Sequence, residues 1–94
     1  MLNSRGLELF AQLRELRTVI AGEENLPQYI IFSDKTLMDM CRQVPLNKEE
    51  MMKVKGVGEN KFRKYGNRFL ALIREYTGGV HEKLYREDEE EAGL

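Results

Sequence analysis

Leu9, Phe10, Leu13, Leu16 and Ile20 recur three and four positions apart. That is the spacing of one apolar stripe on an amphipathic helix, and it predicts a helix over roughly residues 7–23. Arg14 and Arg17 fall off the stripe in this reading and face water. Gly22 and then Pro27 close the stretch. The run Leu26-Pro27-Gln28-Tyr29-Ile30-Ile31-Phe32 is apolar, short and Pro-led. No second strand pattern exists to pair with it, so it reads as a turn and an ordered connector packed on the core. Ser33 or Asp34 can cap the next helix, whose inner face is Leu37, Met40, Cys41 and Val44. Pro45 ends it, because the residue before proline avoids the helical region.

Asn47 followed by Glu50 resembles a capping box and starts a third, short helix, with Met51, Met52 and Val54 as its apolar contacts. Gly56-Val57-Gly58 breaks the chain. A long helix follows, with Phe62, Tyr65, Phe69, Leu72, Ile73 and Tyr76 at helical spacing. Gly66 inside it costs about 1 kcal/mol relative to Ala, which a close helix–helix contact would explain. Gly78-Gly79 is a C-terminal stop. The expected fold is all-α: a compact bundle of four to five helices with a helix-hairpin-helix-like Gly-Val-Gly turn. Residues 1–6 read as an N-terminal extension and 7–77 as the helical domain. Residues 78–94 read as an acidic, mobile tail, with a frayed helix near Glu82–Glu87.

Charge sharpens this picture. The 94 residues carry 15 Lys+Arg against 16 Asp+Glu, a net charge of -1. The near-neutral total hides a basic centre: Lys53, Lys55, Lys61, Arg63, Lys64 and Arg68 stand against Glu59 alone. The acid collects at the end, in Glu82 and Glu87 to Glu91. A basic segment can neutralise phosphates, and that neutralisation supplies most of non-specific nucleic-acid affinity; it can equally be the solvated outer face of a helix. A single cysteine (Cys41) and a single histidine (His81) build neither an internal disulfide nor a His/Cys metal cluster, so no cofactor or metal is expected. No apolar run approaches a membrane span, and Met1-Leu2-Asn3-Ser4-Arg5 has no signal-like apolar region.

The sharpest chemical feature is Val54-Lys55-Gly56-Val57-Gly58-Glu59-Asn60-Lys61. Its glycines allow positive φ and close backbone approach. The amides opening the next helix, with the helix dipole behind them, can accept a phosphate beside Lys55 and Lys61. The same turn can simply let two helices pack. It is not a Walker loop, nor a dinucleotide fingerprint. Tyr29 is the second candidate. An exposed ring near basic groups can stack on an unpaired base; the alternative is a core tyrosine with its hydroxyl bonded. Cys41 reads as a buried small hydrophobe. His81 lacks a triad partner fixed by the sequence, and Asp34 and Asp39 read as cap and surface.

Three blocks, in order, are familiar together. They are Leu9-Phe10-x-x-Leu13-Arg14-x-Leu16-Arg17-x-x-Ile20-Ala21, then Pro27-Gln28-Tyr29-Ile30-Ile31-Phe32-Ser33-Asp34-x-Thr36-Leu37, then Gly56-Val57-Gly58-x-x-Lys61-x-x-x-Tyr65-Gly66. Over about residues 7–77 the chain resembles the HRDC (helicase and RNase D C-terminal) domain, most like that of bacterial RecQ-type DNA helicases. Gln28 departs from the family, where a second proline is common. The resemblance implies a helical accessory module with no enzymatic activity of its own. It implies binding of single-stranded or partly duplex DNA that tunes substrate choice, in roles in DNA repair and recombination, and it implies that Tyr29 is a DNA-contact position. The expected site is Tyr29, Lys55, Gly56, Gly58, Lys61, Lys64 and Arg68, with Lys61, Lys64 and Arg68 along one side of the last helix. The expected partners are DNA and the helicase core of the same parent chain. The domain is expected to be monomeric, away from membranes, in the bacterial cytoplasm and near the nucleoid through its parent. The alternative is a protein-interaction or intramolecular docking module with little DNA binding.

Overall fold

In a computed structural model, residues 1–87 are described. Asn3 opens the first helix, α1 (Ser4–Glu24), by accepting the Gly6 amide on its side chain. Asn25, in the left-handed conformation, closes it and returns its N–H to Ala21 and Gly22. The Pro-led run is not plain connector: it contains one helical turn, α2 (Gln28–Ile31), with Ile31 and Phe32 buried and Leu26, Tyr29 and Ile30 exposed. Ser33 caps α3 (Asp34–Gln43), accepting the Thr36 amide. Leu37, Met40, Cys41 and Val44 are buried. Val44 ends α3 in the left-handed region at φ 49° rather than in extended backbone. Asn47 caps α4 (Lys48–Met51). Glu50 completes the start of α4 by accepting the Leu46 amide instead of the Asn47 amide.

The last long helix is built from α5 (Glu59–Lys61), a π-helical turn (Phe62–Gly66) and α6 (Asn67–Thr77), run together without a break. Counted as one helix, it makes five in all among the described residues. α1 spans the bundle, with α2, α3 and α6 packed on it. The core joins Leu9, Leu13 and Ile20 of α1 to Phe32, Leu37, Met40, Phe69 and Ile73. Phe32 meets Phe69 edge to face at 5.1 Å between ring centroids. Gly66 has an explanation closer than a neighbouring helix: a methyl there would strike the Phe62 ring one turn back.

Two expectations need correcting. Arg17 does not face water. It is 5 % exposed, and its guanidinium donates to the Phe32 carbonyl at 2.9 Å and pairs with Asp34 at 2.8 Å. The polar head therefore ties α1 to the α2–α3 junction.

The termini are not loose extensions either. Residues 78–87 contain no helix beyond the cap. Leu2 and Leu84 are buried, Leu2 and Tyr85 form an antiparallel bridge, and the Asn3 amide donates to Leu84 O at 2.9 Å. Arg5 pairs with Glu82, and His81 Nε2 lies 2.7 Å from Glu50. The remainder of the acidic tail, 88–94, lies outside the described residues.

Candidate nucleic-acid interface

The α2–α3 junction packs against the glycine turn, and the contact is close. Gly56 has φ +91°, and a methyl there would run into Thr36 Oγ1. Glycine is therefore required at Gly56 twice over, by conformation and by space. Gly58 is different. Its backbone is extended (φ -96°), and a methyl there would meet nothing within 4 Å. The turn needs one of its two glycines, not both. Asp39, read as a surface residue, pins the turn from α3 by accepting the Lys55 amide at 2.9 Å and the Gln43 side chain at 2.6 Å. Gly58 is the N-cap of the long helix and no side chain caps it.

The cations at this end divide into two groups. Lys48 pairs with Glu59 at 3.3 Å, and Arg68 with Glu23 at 2.7 Å. The Arg68 hydrogen bond holds the Glu23 carboxyl below the usual carboxylate range. By contrast, Lys35, Lys55, Lys61 and Lys64 have no carboxylate at salt-bridge distance among the described residues. The carboxylates nearest them in sequence are otherwise engaged, Asp34 by Arg17, Asp39 by the turn and Glu59 by Lys48. Lys55 and Lys64 are exposed; Lys61 is half-buried, its ammonium 5.8 Å from the Phe32 ring centroid.

The expected straight ridge is bent. The π turn holds one residue more than an α turn, rotating later positions by about 100° relative to an unbroken α-helix. Lys61 and Arg68 accordingly serve different neighbours, Phe32 and Glu23. Tyr29 is 68 % exposed, and its hydroxyl has no hydrogen bond among the described residues, so it is not a core tyrosine. It stands three residues before Phe32, the ring beneath Lys61.

Other candidates resolve as structure. Burial pushes the Cys41 thiol up to about 12, so it stays protonated. Among the described residues no group of three His, Cys, Asp or Glu is placed to hold a metal, and no helix is long and apolar enough to cross a membrane.

The profile of the HRDC domain matches residues 6–73. The chain belongs to the HRDC domain family. Over 69 residues it is 46% identical to ATP-dependent DNA helicase RecQ of Haemophilus influenzae, covering 73% of this chain and 11% of that protein. Over 70 residues it is 46% identical to RecQ of Bacillus subtilis, covering 74% and 12%. The chain thus spans 11–12% of the length of these curated relatives. Among solved structures, D. radiodurans RecQ HRDC domain 3 superposes with a TM-score of 0.75 at 30% identity, over 79% of this chain and 97% of that one. This HRDC domain is thus of the kind carried by RecQ-type helicases as an accessory module. Leu2 and Leu84, which tie its ends together, lie outside the matched span.

Proposed function

We propose that this HRDC domain is a sequence-independent DNA-binding accessory module that helps a parent helicase choose single-stranded or partly duplex substrates. One observation carries the reading: at the glycine-turn end, Lys35, Lys55, Lys61 and Lys64 lack carboxylate partners among the described residues, and an exposed Tyr29 lies in the adjoining α2. Uncompensated cations attract a polyanion and release its counterions. A ring on a short, Pro-capped helical turn can stack a base at small cost in order, worth about 1–3 kcal/mol per base. In this reading Lys55, Lys61 and Lys64 meet phosphates, Lys35 joins them, and the amides of Gly56 and Gly58 assist. Arg68 plays a smaller part, because Glu23 already offsets its charge.

Binding is expected to be weak, on the order of 10⁻⁴–10⁻⁶ M at physiological salt. The test is a titration of labelled single-stranded DNA at low and moderate salt. Affinity should fall steeply as salt rises, and Tyr29→Ala should weaken binding about fivefold, the equivalent of 1 kcal/mol, with the thermal midpoint unchanged. Absence of binding at low salt, or a salt-independent signal, overturns the reading.

One observation favours a second reading, docking on protein. Leu26 and Ile30 are exposed beside Tyr29, an apolar surround a protein partner could cover. Capture of the parent helicase core by the domain without DNA, abolished by Tyr29→Ala and Ile30→Ser, would select it.

A further inference from the structure

We propose that the cleft between the last turns of α1 and the start of α2 receives one unpaired nucleobase, the neighbour of the base stacked on Tyr29, with Gln28 and Thr18 bonding its edge. This deepens the DNA-binding reading and rests on it. The cleft, of about 580 Å³, is lined by Thr18 and Gly22 of α1 and by Asn25, Leu26, Pro27 and Gln28. That size falls among small-molecule sites, about 300–1,000 Å³.

The lining selects the ligand class. Leu26 and Pro27 offer apolar surface to a ring face. The side-chain amides of Asn25 and Gln28 make no hydrogen bond among the described residues, so donors and acceptors are free for a ring edge. The Thr18 hydroxyl donates to the Arg14 carbonyl at 3.0 Å, which leaves its oxygen to accept. A carboxamide presents both a donor and an acceptor, so any of the four bases finds a partner and binding stays sequence-independent. Phosphate is the wrong occupant. Among the described residues no Lys or Arg lines the cleft, and it sits at the C-terminal, negative end of the α1 dipole.

Placement links the cleft to Tyr29. Gln28 and Tyr29 are successive residues of α2, about 3.8 Å apart at Cα, and their side chains leave the turn about 100° apart. A strand with one base on the Tyr29 ring thus has a second site one residue away. A base inside a duplex is stacked and paired, so only an unpaired one can enter. Gly22 adds an independent mark. It lies inside α1, where glycine is less favourable than almost any other residue. Its φ is not positive, and a methyl there would meet nothing within 4 Å. Neither conformation nor packing asks for glycine, and its effect is to keep the cleft open.

The experiment titrates the parent chain, Gly22→Leu and Gln28→Ala with a labelled oligothymidylate and with a base-free deoxyribose-phosphate strand of equal length. Gly22→Leu fills the cleft, and its thermal midpoint should be unchanged or raised. Both variants should bind oligothymidylate about fivefold more weakly at low salt, the effect of losing one net hydrogen bond. The slope of log affinity against log salt should stay that of the parent, because the cleft holds no cation. Neither variant should differ from the parent on the base-free strand. Undiminished oligothymidylate affinity in Gly22→Leu overturns the cleft while leaving the DNA-binding reading intact. An equal loss on the base-free strand overturns it as well, since the cleft would then be taking backbone. A loss in Gly22→Leu alone overturns the bond assigned to Gln28. If the parent itself fails to bind oligothymidylate, the DNA-binding reading falls and the cleft falls with it.

Discussion

A single methyl group separates the two glycines of the turn in consequence. Gly56→Ala forces an L side chain to φ +91° and against Thr36 Oγ1. The expected loss is about 2 kcal/mol, read as a lower urea midpoint at unchanged slope. Gly58→Ala places its methyl in open space on extended backbone and should stay within about 0.5 kcal/mol of the parent. Equal losses at both positions would refute the assigned conformations. Arg17 makes a comparable point. Arg17→Leu keeps the apolar stem but strips the Phe32 carbonyl of its donor and Asp34 of its partner. A loss of about 1–3 kcal/mol is expected in the same assay.

The segment Val80–Glu87 has no regular structure, yet it is tied to the start of α1 like a strap. Leu84 is fully buried, and Gly6 is close enough to Leu84 O that a methyl on Gly6 would collide with backbone rather than with a movable side chain. Leu84→Ala should therefore cost about 2–5 kcal/mol despite lying beyond the last helix. A change below about 0.5 kcal/mol, the range of an ordinary surface substitution, would show the strap to be dispensable. Two of its contacts also depend on pH. The His81 hydrogen bond, then the Leu46 amide, holds the Glu50 carboxyl below the usual range, and the Arg5 hydrogen bond does so for Glu82. A carboxylate whose folded value lies below its unfolded one stabilises the fold above the unfolded value and loses that contribution as pH falls through the folded value. The urea midpoint should thus drop below about pH 4.5, and drop less in Glu50→Gln. An acid limb identical in Glu50→Gln would assign the loss to other groups.

Across the molecule, charge is partitioned rather than summed. The net charge of -1 predicts little attraction for DNA, but one end carries lysines without carboxylate partners among the described residues, whereas Arg5, Arg17, Lys48 and Arg68 spend their charge on internal bridges. A double variant Lys55→Ala, Lys64→Ala should weaken binding to single-stranded DNA and flatten the plot of log affinity against log salt by about 1.4, two phosphate contacts' worth. Arg68→Ala should flatten it less, because Glu23 already holds that cation. An equal flattening for Arg68→Ala alone would mean that the bridge opens on binding.

Local pattern was enough to place the bodies of α1, α3, α4 and the last long helix, the caps of α3 and α4, and most of the core. Periodicity and the residues that start and stop helices are properties of neighbouring positions: Ser33 and Asn47 cap as their side chains dictate, and Leu37, Met40 and Cys41 are inward because of their spacing. The kinship with HRDC domains was legible for the same reason, since three blocks of neighbouring residues carry it. Arg17 could have been read as buried, because it stands four residues after Leu13 and three before Ile20, on the stripe itself; its charge obscured its position. What distance along the chain concealed, packing decided. The Leu2–Leu84 closure joins residues far apart in sequence, Gly56 is constrained by Thr36 of a different helix, and Arg68 meets a glutamate on another. The π turn rotated the expected ridge, and no spacing rule assuming a regular helix could register it. Which lysines keep their charge available is likewise a tertiary outcome, because neutralisation depends on the carboxylates that folding brings within about 4 Å.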